Sequence, residues 1–288
     1  MRRFGLLFLL LLLLPAAPAL AQRLLVPMDL EQANHLKAYG LAFWALERGV
    51  VVEWLLNYRG GAFLMDNNPL IAREARLRGV RVEAISEAAA AAAYADIDAS
   101  NMDVVRLEKA PRIAVYTPPN SQPWDDAVTL ALEYADVEYE KIWDTEVLQG
   151  KLTDYDWLHL HHEDFTGQYG KFYGQFSRAP WYQEQLLLYE SQARRLGYAK
   201  VADEKKAVAR AIYDYVAAGG FLFAMCSATD TFDIALAAQT VDIAHELFDG
   251  DPADPAAQAK LDYARTVAFT EFTLETNPLV YEFSDIDT

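Results

Sequence analysis

Cysteine is almost absent from this chain: Cys226 is the only one in 288 residues. A lone thiol makes no intrachain disulfide, so stability in an oxidising compartment has to come from the packed core. Positive charge is also scarce. Lys and Arg number 25 against 42 Asp and Glu, a formal net charge of −17, and that balance repels phosphate backbones and anionic lipid. Nucleic acid and a membrane surface are therefore not expected partners. Beyond residue 21 no run reaches the roughly 18 uninterrupted apolar residues that a membrane helix needs. Histidine is limited to five, which confines imidazole chemistry to a few places.

What is present begins with a leader. Arg2 and Arg3 form a basic start, Leu6 to Leu14 an apolar stretch, and Ala19-Leu20-Ala21 a small-residue cleavage site. This is the pattern of a secretory signal peptide, cut after Ala21. The mature protein is then expected in the periplasm or outside the cell, beginning near Gln22. Acids are dispersed among apolar and aromatic residues, as in a folded globular chain.

Hydrophobic patterning predicts two regions. In residues 22–110, Leu24 to Met28 reads as a strand, followed by a helix to about Arg48 and a strand over Val50 to Asn57. A short apolar piece over Ala62 to Met65, a helix over Pro69 to Arg78 and a strand over Val80 to Ile85 complete a small α/β unit. The Ala-rich run from Ala88 reads as a surface helix leading into a connector. In residues 111–288, strands are expected at Arg112 to Thr117, Glu138 to Trp143, Trp157 to His161 and Phe221 to Met225. Helices are expected from Trp124-Asp125-Asp126 to about Tyr134, over Trp181 to Leu196, over Asp203 to Ala217 and over Asp230 to Ala238. Such alternation predicts an α/β fold with a mostly parallel sheet and helices on both faces. Ligands of such sheets bind at the carboxyl ends of the strands, so three segments fall at one rim: Pro118 to Trp124, His161 to Gly170 and Met225 to Thr231.

At that rim GGFLFAMCSATD, Gly219 to Asp230, runs a strand into Cys226 and then toward a helix. A nucleophile elbow needs a strand, a crowded turn with small neighbours, and a helix. Ala224 and Ala228 are the small neighbours. The glycines of the G-x-S-x-G pattern are missing. At such a turn the helix would direct amides and partial positive charge at the sulfur. Ser227 would offer an oxyanion donor, with Thr229 and Asp230 beside it. The bland alternative is a buried, inert cysteine. For the base, His162 or Glu163 is the candidate within LHLHHED, Leu158 to Asp164; His159, His161 and His162 with Asp164 alternatively form a metal cluster, or the histidines only bond within the strand end. The aromatic, glycine-bearing insertion from Glu163 to Pro180 is either a lid that stacks on a sugar or amide through Tyr169, or a packed loop. Trp124 either walls the same cleft or staples its helix. His245 reads as a structural residue in a helix, and the acidic run from Asp249 to Asp254 as a turn lacking EF-hand spacing.

The segments RIAVYTPP, YDWLHLHHEDFTGQYG and GGFLFAMCSATDTFDIAL, with LLVPMD, NHLKAYG and WLLNYRGGAFL before them, resemble a family of exported bacterial proteins, largely from Bacteroidota and relatives, labelled asparagine synthetase B. The resemblance covers essentially the whole mature chain. From about Arg112 to Ala238 the chain also resembles the class I glutamine amidotransferase-like, flavodoxin-like fold. There GGFLFAMCSATDTF is similar to the strand and turn of trehalose-utilisation-type proteins, which often carry a histidine in place of Cys226. The resemblance implies an amidase or amidotransferase-like hydrolase with Cys226, His162 and Glu163 at its centre and no cofactor. Its partner would be a small-molecule, saccharide or peptide substrate. ATP-dependent asparagine synthesis is not expected, because the chain starts Met1-Arg2-Arg3, where that enzyme places a cysteine after its methionine, and it shows no SGGxDS phosphate motif. Family members continue past the equivalent of Asp287, which implies a last βα unit outside this chain. A non-catalytic carbohydrate- or peptide-binding protein of the same fold is the alternative.

Overall fold

A computed structural model of the chain describes residues 23–121 and 126–287; the expected signal peptide and Trp124 lie outside the described residues. The chain divides into two compact units, one of residues up to 110 with 131–137, the other of 111–130 with 138 onward.

The first unit contains strands β1 (Arg23–Val26), β2 (Val52–Leu56), β3 (Ala62–Asp66), β4 (Glu83–Ile85) and β5 (Asp103–Leu107), and helices α1 (His35–Glu47), α2 (Pro69–Arg78) and α3 (Glu87–Asp98). Its sheet order is β4-β1-β3-β2-β5 and every pairing is antiparallel. Among the described residues parallel pairing is thus confined to the second unit, which corrects the expectation of a mostly parallel sheet for the chain as a whole. The first four strands and two helices follow a split βαβ connectivity. Two helix starts are legible locally: the Asn34 side chain caps α1 through the amide of Lys37, and Asn68 caps α2 just before Pro69. Leu24, Val26, Phe63 and Met65 bury one sheet face with α1 and α2. Leu25, Leu55 and Leu64 bury the other against Ala90 and Ile97 of α3. The alanines that looked like a surface run let α3 lie close on that second face, and the residues read as a connector pair with β2 as β5.

The second unit contains β6 (Ile113–Tyr116), the first residues of α4 (Ala127–Ala135, which from 131 on falls in the first unit), β7 (Glu140–Ile142), α5 (Asp144–Leu148), β8 (Trp157–Leu160), α6 (Tyr173–Phe176), α7 (Pro180–Arg195), α8 (Val201–Ala217), β9 (Phe221–Ala224) and α9 (Ser227–Ala237). Its four strands are parallel in the order β7-β6-β8-β9. The chain leaves β6 for one side and returns to β8 on the other, so the topological switch lies between the carboxyl ends of β6 and β8. Leu158 and Leu160 pack with Val208 and Ile212 of α8 and with Phe232 and Leu236 of α9. Gly220 is dictated by this packing: a Cβ there would stand 2.2 Å from the Tyr215 ring.

Residues after α9 are largely irregular and are tied down by buried ions. Asp233, on α9 and 1% exposed, accepts the amides of Val267, Ala268 and Phe269 at 2.8, 2.8 and 2.7 Å. From the insertion, the buried Lys171 donates to the carbonyls of Glu275 and Glu282 at 2.6 and 2.7 Å. Removing the Asp233 acceptor leaves three amides to find new partners, each at a cost of about 1–3 kcal/mol if it stays buried. Asp233→Ala is therefore expected to expose residues 267–285 to limited proteolysis and to lower the urea midpoint, while Asp233→Asn, which keeps one acceptor, falls between it and the parent.

Candidate functional site

Cys226 stands between β9 and α9 with φ 50° and ψ −140°. An L-residue in this region costs on the order of 1–3 kcal/mol and persists only where its surroundings over-determine it. Here they do. The amide of Met225 donates to the Leu160 carbonyl at 3.0 Å, that of Ala228 to His161 at 3.1 Å and that of Thr229 to Cys226 at 3.0 Å. Thr231 Oγ1 lies 2.6 Å from the Ser227 carbonyl and 2.8 Å from that of Glu163, anchoring the first turn of α9 to the end of β8. The thiol is exposed. The burial that the bland reading required is absent. Ala228 is fully buried, so the turn has no room for a larger side chain where the glycine pattern usually provides it. Ser227 and Thr229 are half-buried, and Asp230 is fully buried in the same turn.

The end of β8 brings the histidines to the same edge. Leu160 pairs with Ala224, so His161 and His162 leave β8 beside Met225 and Cys226. His159 is fully buried, stacked on Phe223 with ring centroids 5.8 Å apart. His162 is exposed, and its ring lies against His161 at 3.5 Å between centroids. The acid that meets the imidazoles is Asp126: its Oδ2 is 3.1 Å from His159 Nε2 and its Oδ1 is 3.2 Å from His161 Nδ1. Sequence reasoning placed Asp126 only among the acids that open a helix. The available signal was an acid just after the first parallel strand, on the side of the sheet where β8 ends.

Glu163 turns toward the interior. Its Oε2 accepts the His161 amide at 2.8 Å, and burial pushes its pKa up to about 7. Below it lies an ionic cluster. Lys205, 3% exposed, donates to both oxygens of Asp144 at 2.8 Å and to Tyr116 Oη at 2.9 Å. The Tyr116 hydroxyl in turn donates to Asp144. The rings of Tyr116, Trp143 and Tyr189 surround the ammonium at 5.1–5.4 Å. Glu204, fully buried beside this pair, has its pKa pushed up to about 8, first by burial and then by the charge of Asp144.

Tyr169 is 4% exposed and packs among Tyr182, Ala193, Val201 and Phe248. Its ring is largely in the interior, and at this residue the insertion is a packed loop, where Tyr169 also lines a small pocket with Glu190, Arg194 and Lys200. Tyr169, Gly170 and Lys171 all have positive φ, a tight turn closed by the Asp164 carboxylate on the Gly170 amide at 3.0 Å. His245 caps a short helix by accepting the Leu247 amide at its Nδ1. Among the described residues, the group of acids with metal-binding geometry is Asp242, Asp249 and Asp251. The Lys200 ammonium occupies it, 2.7 Å from Asp242 and 3.0 Å from Asp249 and paired with Asp251 as well. A groove of about 660 Å³ opens between Gly150, Tyr155, Tyr215 and Gly219, at the amino ends of β8 and β9 and so away from the thiol.

Comparisons with protein-family models, curated proteins and solved structures returned no significant match.

Glu163 and Glu204 set the sign of one pH dependence. Their folded pKa values are raised above the ordinary glutamate value, so between about pH 4.5 and 8 the folded chain holds protons that the unfolded chain releases. Their contribution is fully present below pH 4.5 and is lost as pH rises through 7 to 8. Thermal unfolding across this range is expected to show a smaller loss on raising pH in Glu204→Gln than in the parent, by several degrees; parallel curves for the two would contradict it.

Proposed function

We propose that this chain is an exported protein whose second unit is a class I glutamine amidotransferase-like domain, and that Cys226 is the nucleophile of an amidase-type hydrolase. The observation that carries this reading is the exposed thiol at φ 50° and ψ −140° between a parallel strand and a helix. Strain of this kind is retained where chemistry needs the side chain projected from the turn.

In the proposed reaction the sulfur attacks the carbonyl carbon of an amide or related group, forming a C–S bond. The carbonyl oxygen becomes an oxyanion held by the amide of Ser227, one of the amides at the start of α9 that no helical carbonyl reaches. A histidine at the end of β8 accepts the thiol proton and passes it to the departing nitrogen as the C–N bond breaks. Water then cleaves the thioester, releasing a carboxylate and restoring the thiol. Thr229 and Asp230 shape the same turn. Asp230 has no exposed surface with which to touch a substrate.

The test uses the purified mature chain against a panel of side-chain amides, peptide amides and glycosylamides, with ammonia or amine release as the readout. Turnover is expected for at least one member, and Cys226→Ala is expected to reduce it by roughly 10³-fold or more. An acyl adduct on the single cysteine should be trapped by rapid acid quench and seen by intact-protein mass spectrometry. Ligand binding without turnover, unaltered by Cys226→Ala, would replace this reading with a non-catalytic carbohydrate- or peptide-binding protein.

A further inference from the structure

Resting on the reading of Cys226 as a nucleophile, we infer that Asp126 is a positioning residue that holds His161 with its hydrogen on Nδ1, leaving Nε2 to take the thiol proton.

The argument starts from how firmly Asp126 is held. Its Oδ1 accepts the Val128 amide at 2.7 Å, capping α4, and its carbonyl accepts Thr129 Oγ1 at 2.9 Å. The carboxylate is thus fixed from the backbone side before it meets a ring. Its oxygens then stand against one nitrogen of each of two imidazoles, His159 Nε2 and His161 Nδ1. A carboxylate has no hydrogen to give, so a bond in either pair requires the hydrogen on the ring nitrogen. A neutral imidazole carries one such hydrogen. With it on Nδ1, His161 Nε2 keeps its lone pair.

The two histidines are not equivalent. His159 has no exposed surface and is sandwiched against Phe223, so its part is to hold Oδ2 and stop the carboxylate from turning. His161 lies at the edge with its side chain 13% exposed, and its carbonyl accepts the amide of Ala228 in the first turn behind Cys226. The groups facing it are Asp126 from the start of α4, His159 on its own strand, His162 against its ring, and Glu163, whose carboxylate takes its amide. Burial and the neighbouring His162 lower the His161 pKa, which keeps the ring neutral at neutral pH. At 3.2 Å the approach of Nδ1 to Oδ1 is too oblique for a hydrogen bond, and Nδ1 makes none in this structure; catalytic dyads that are poorly aligned without substrate tighten when it binds. In the step itself the thiol proton moves to Nε2, and the imidazolium so formed is balanced by Asp126. The proton then leaves with the amine.

Two readouts test this. Long-range ¹H–¹⁵N spectra of the imidazoles at pH 7.5 report the tautomer of His161, and the pH profile of Cys226 alkylation by iodoacetamide reports how readily the thiol gives up its proton. Asp126→Ser keeps a cap for Val128 but is too short to reach either ring; Asp126→Thr, which also caps, serves if the serine variant does not fold by circular dichroism. His245→Gln is the control. The parent is expected to show His161 as Nδ1–H with alkylation at pH 6.5 well above that of free cysteine. The Asp126 variants are expected to lose that tautomer and about tenfold of the rate. An Nε2–H tautomer in the parent, or variants that leave both tautomer and profile unchanged, would overturn the inference. If the tautomer depends on Asp126 but the parent thiol reacts no faster than free cysteine, the pairing stands while its proton transfer to Nε2, and the nucleophile reading with it, are overturned.

Discussion

The in-register pairing of β8 with β9 is the constraint on which the rest of the site depends. Trp157, Leu158, His159 and Leu160 match Phe221, Leu222, Phe223 and Ala224 in order, and two further backbone bonds, Met225 to Leu160 and Ala228 to His161, carry the pairing past the strand ends. A slip of one residue would exchange the two faces of β9. Leu222 and Ala224 would leave the core that α8 and α9 cover, and Phe221 and Phe223 would enter it. The same register delivers Cys226 and the histidines to one edge, so core packing and site assembly are a single requirement. The backbone energy stored at Cys226 is held by this arrangement, since the bonds that flank the turn, from Met225 to Leu160, Ala228 to His161 and Thr231 to Glu163, all end on β8 or the residues just after it.

Below that edge the interior is unusually ionic. Burying Asp144 and Lys205 costs several kcal/mol per ion, a penalty offset only by close geometry and by filling the remaining donors and acceptors. The pair meets this condition, because Tyr116 adds a hydroxyl and the ammonium is ringed by aromatic faces. Glu204 adds a second carboxyl, and burial together with the charge of Asp144 pushes its pKa up to about 8, which favours a proton there at neutral pH. Glu163 sits within the influence of the same Lys205 and of Asp126. It is linked to the site through the His161 amide, so its protonation bears on the placement of β8's end.

Much of this was legible in the chain. The parallel unit followed from alternating apolar runs at βα spacing, and the face of α8 from the spacing of Val208, Ala211, Ile212, Tyr215 and Val216, of which Val208, Ile212 and Tyr215 are buried and the other two half-buried. The strand, turn and helix around Cys226 followed from FLFAMCSATD, because small residues on both sides of a thiol are what a crowded turn requires. Three things were not legible. The antiparallel pairing of the first unit depends on which strands neighbour one another, and residues 22–110 show only the order of elements. Strand β5 was hidden because DVVRL is short and half-exposed. Asp126 was read as one acid among three residues opening a helix; its contact with His159 and His161 arises only when β6 and β8 become neighbours, a tertiary event with no local signature.

The C-terminal segment shows how a chain with few regular elements after α9 is still made definite. It adds a small core of its own around Ile234, Val241, Phe272 and Phe283, but apolar contact alone does not select among many loop arrangements. Direction comes from two buried ions of opposite sign, Asp233 gathering three amides and Lys171 gathering two carbonyls. Each ion satisfies backbone groups that a buried loop would otherwise leave without partners. Asp233 lies on the helix that begins at Cys226, and Lys171 in the insertion that follows β8. The two strands whose pairing builds the site are therefore followed by the two segments that fix the chain's end, and loosening that end would act on the elbow from both sides.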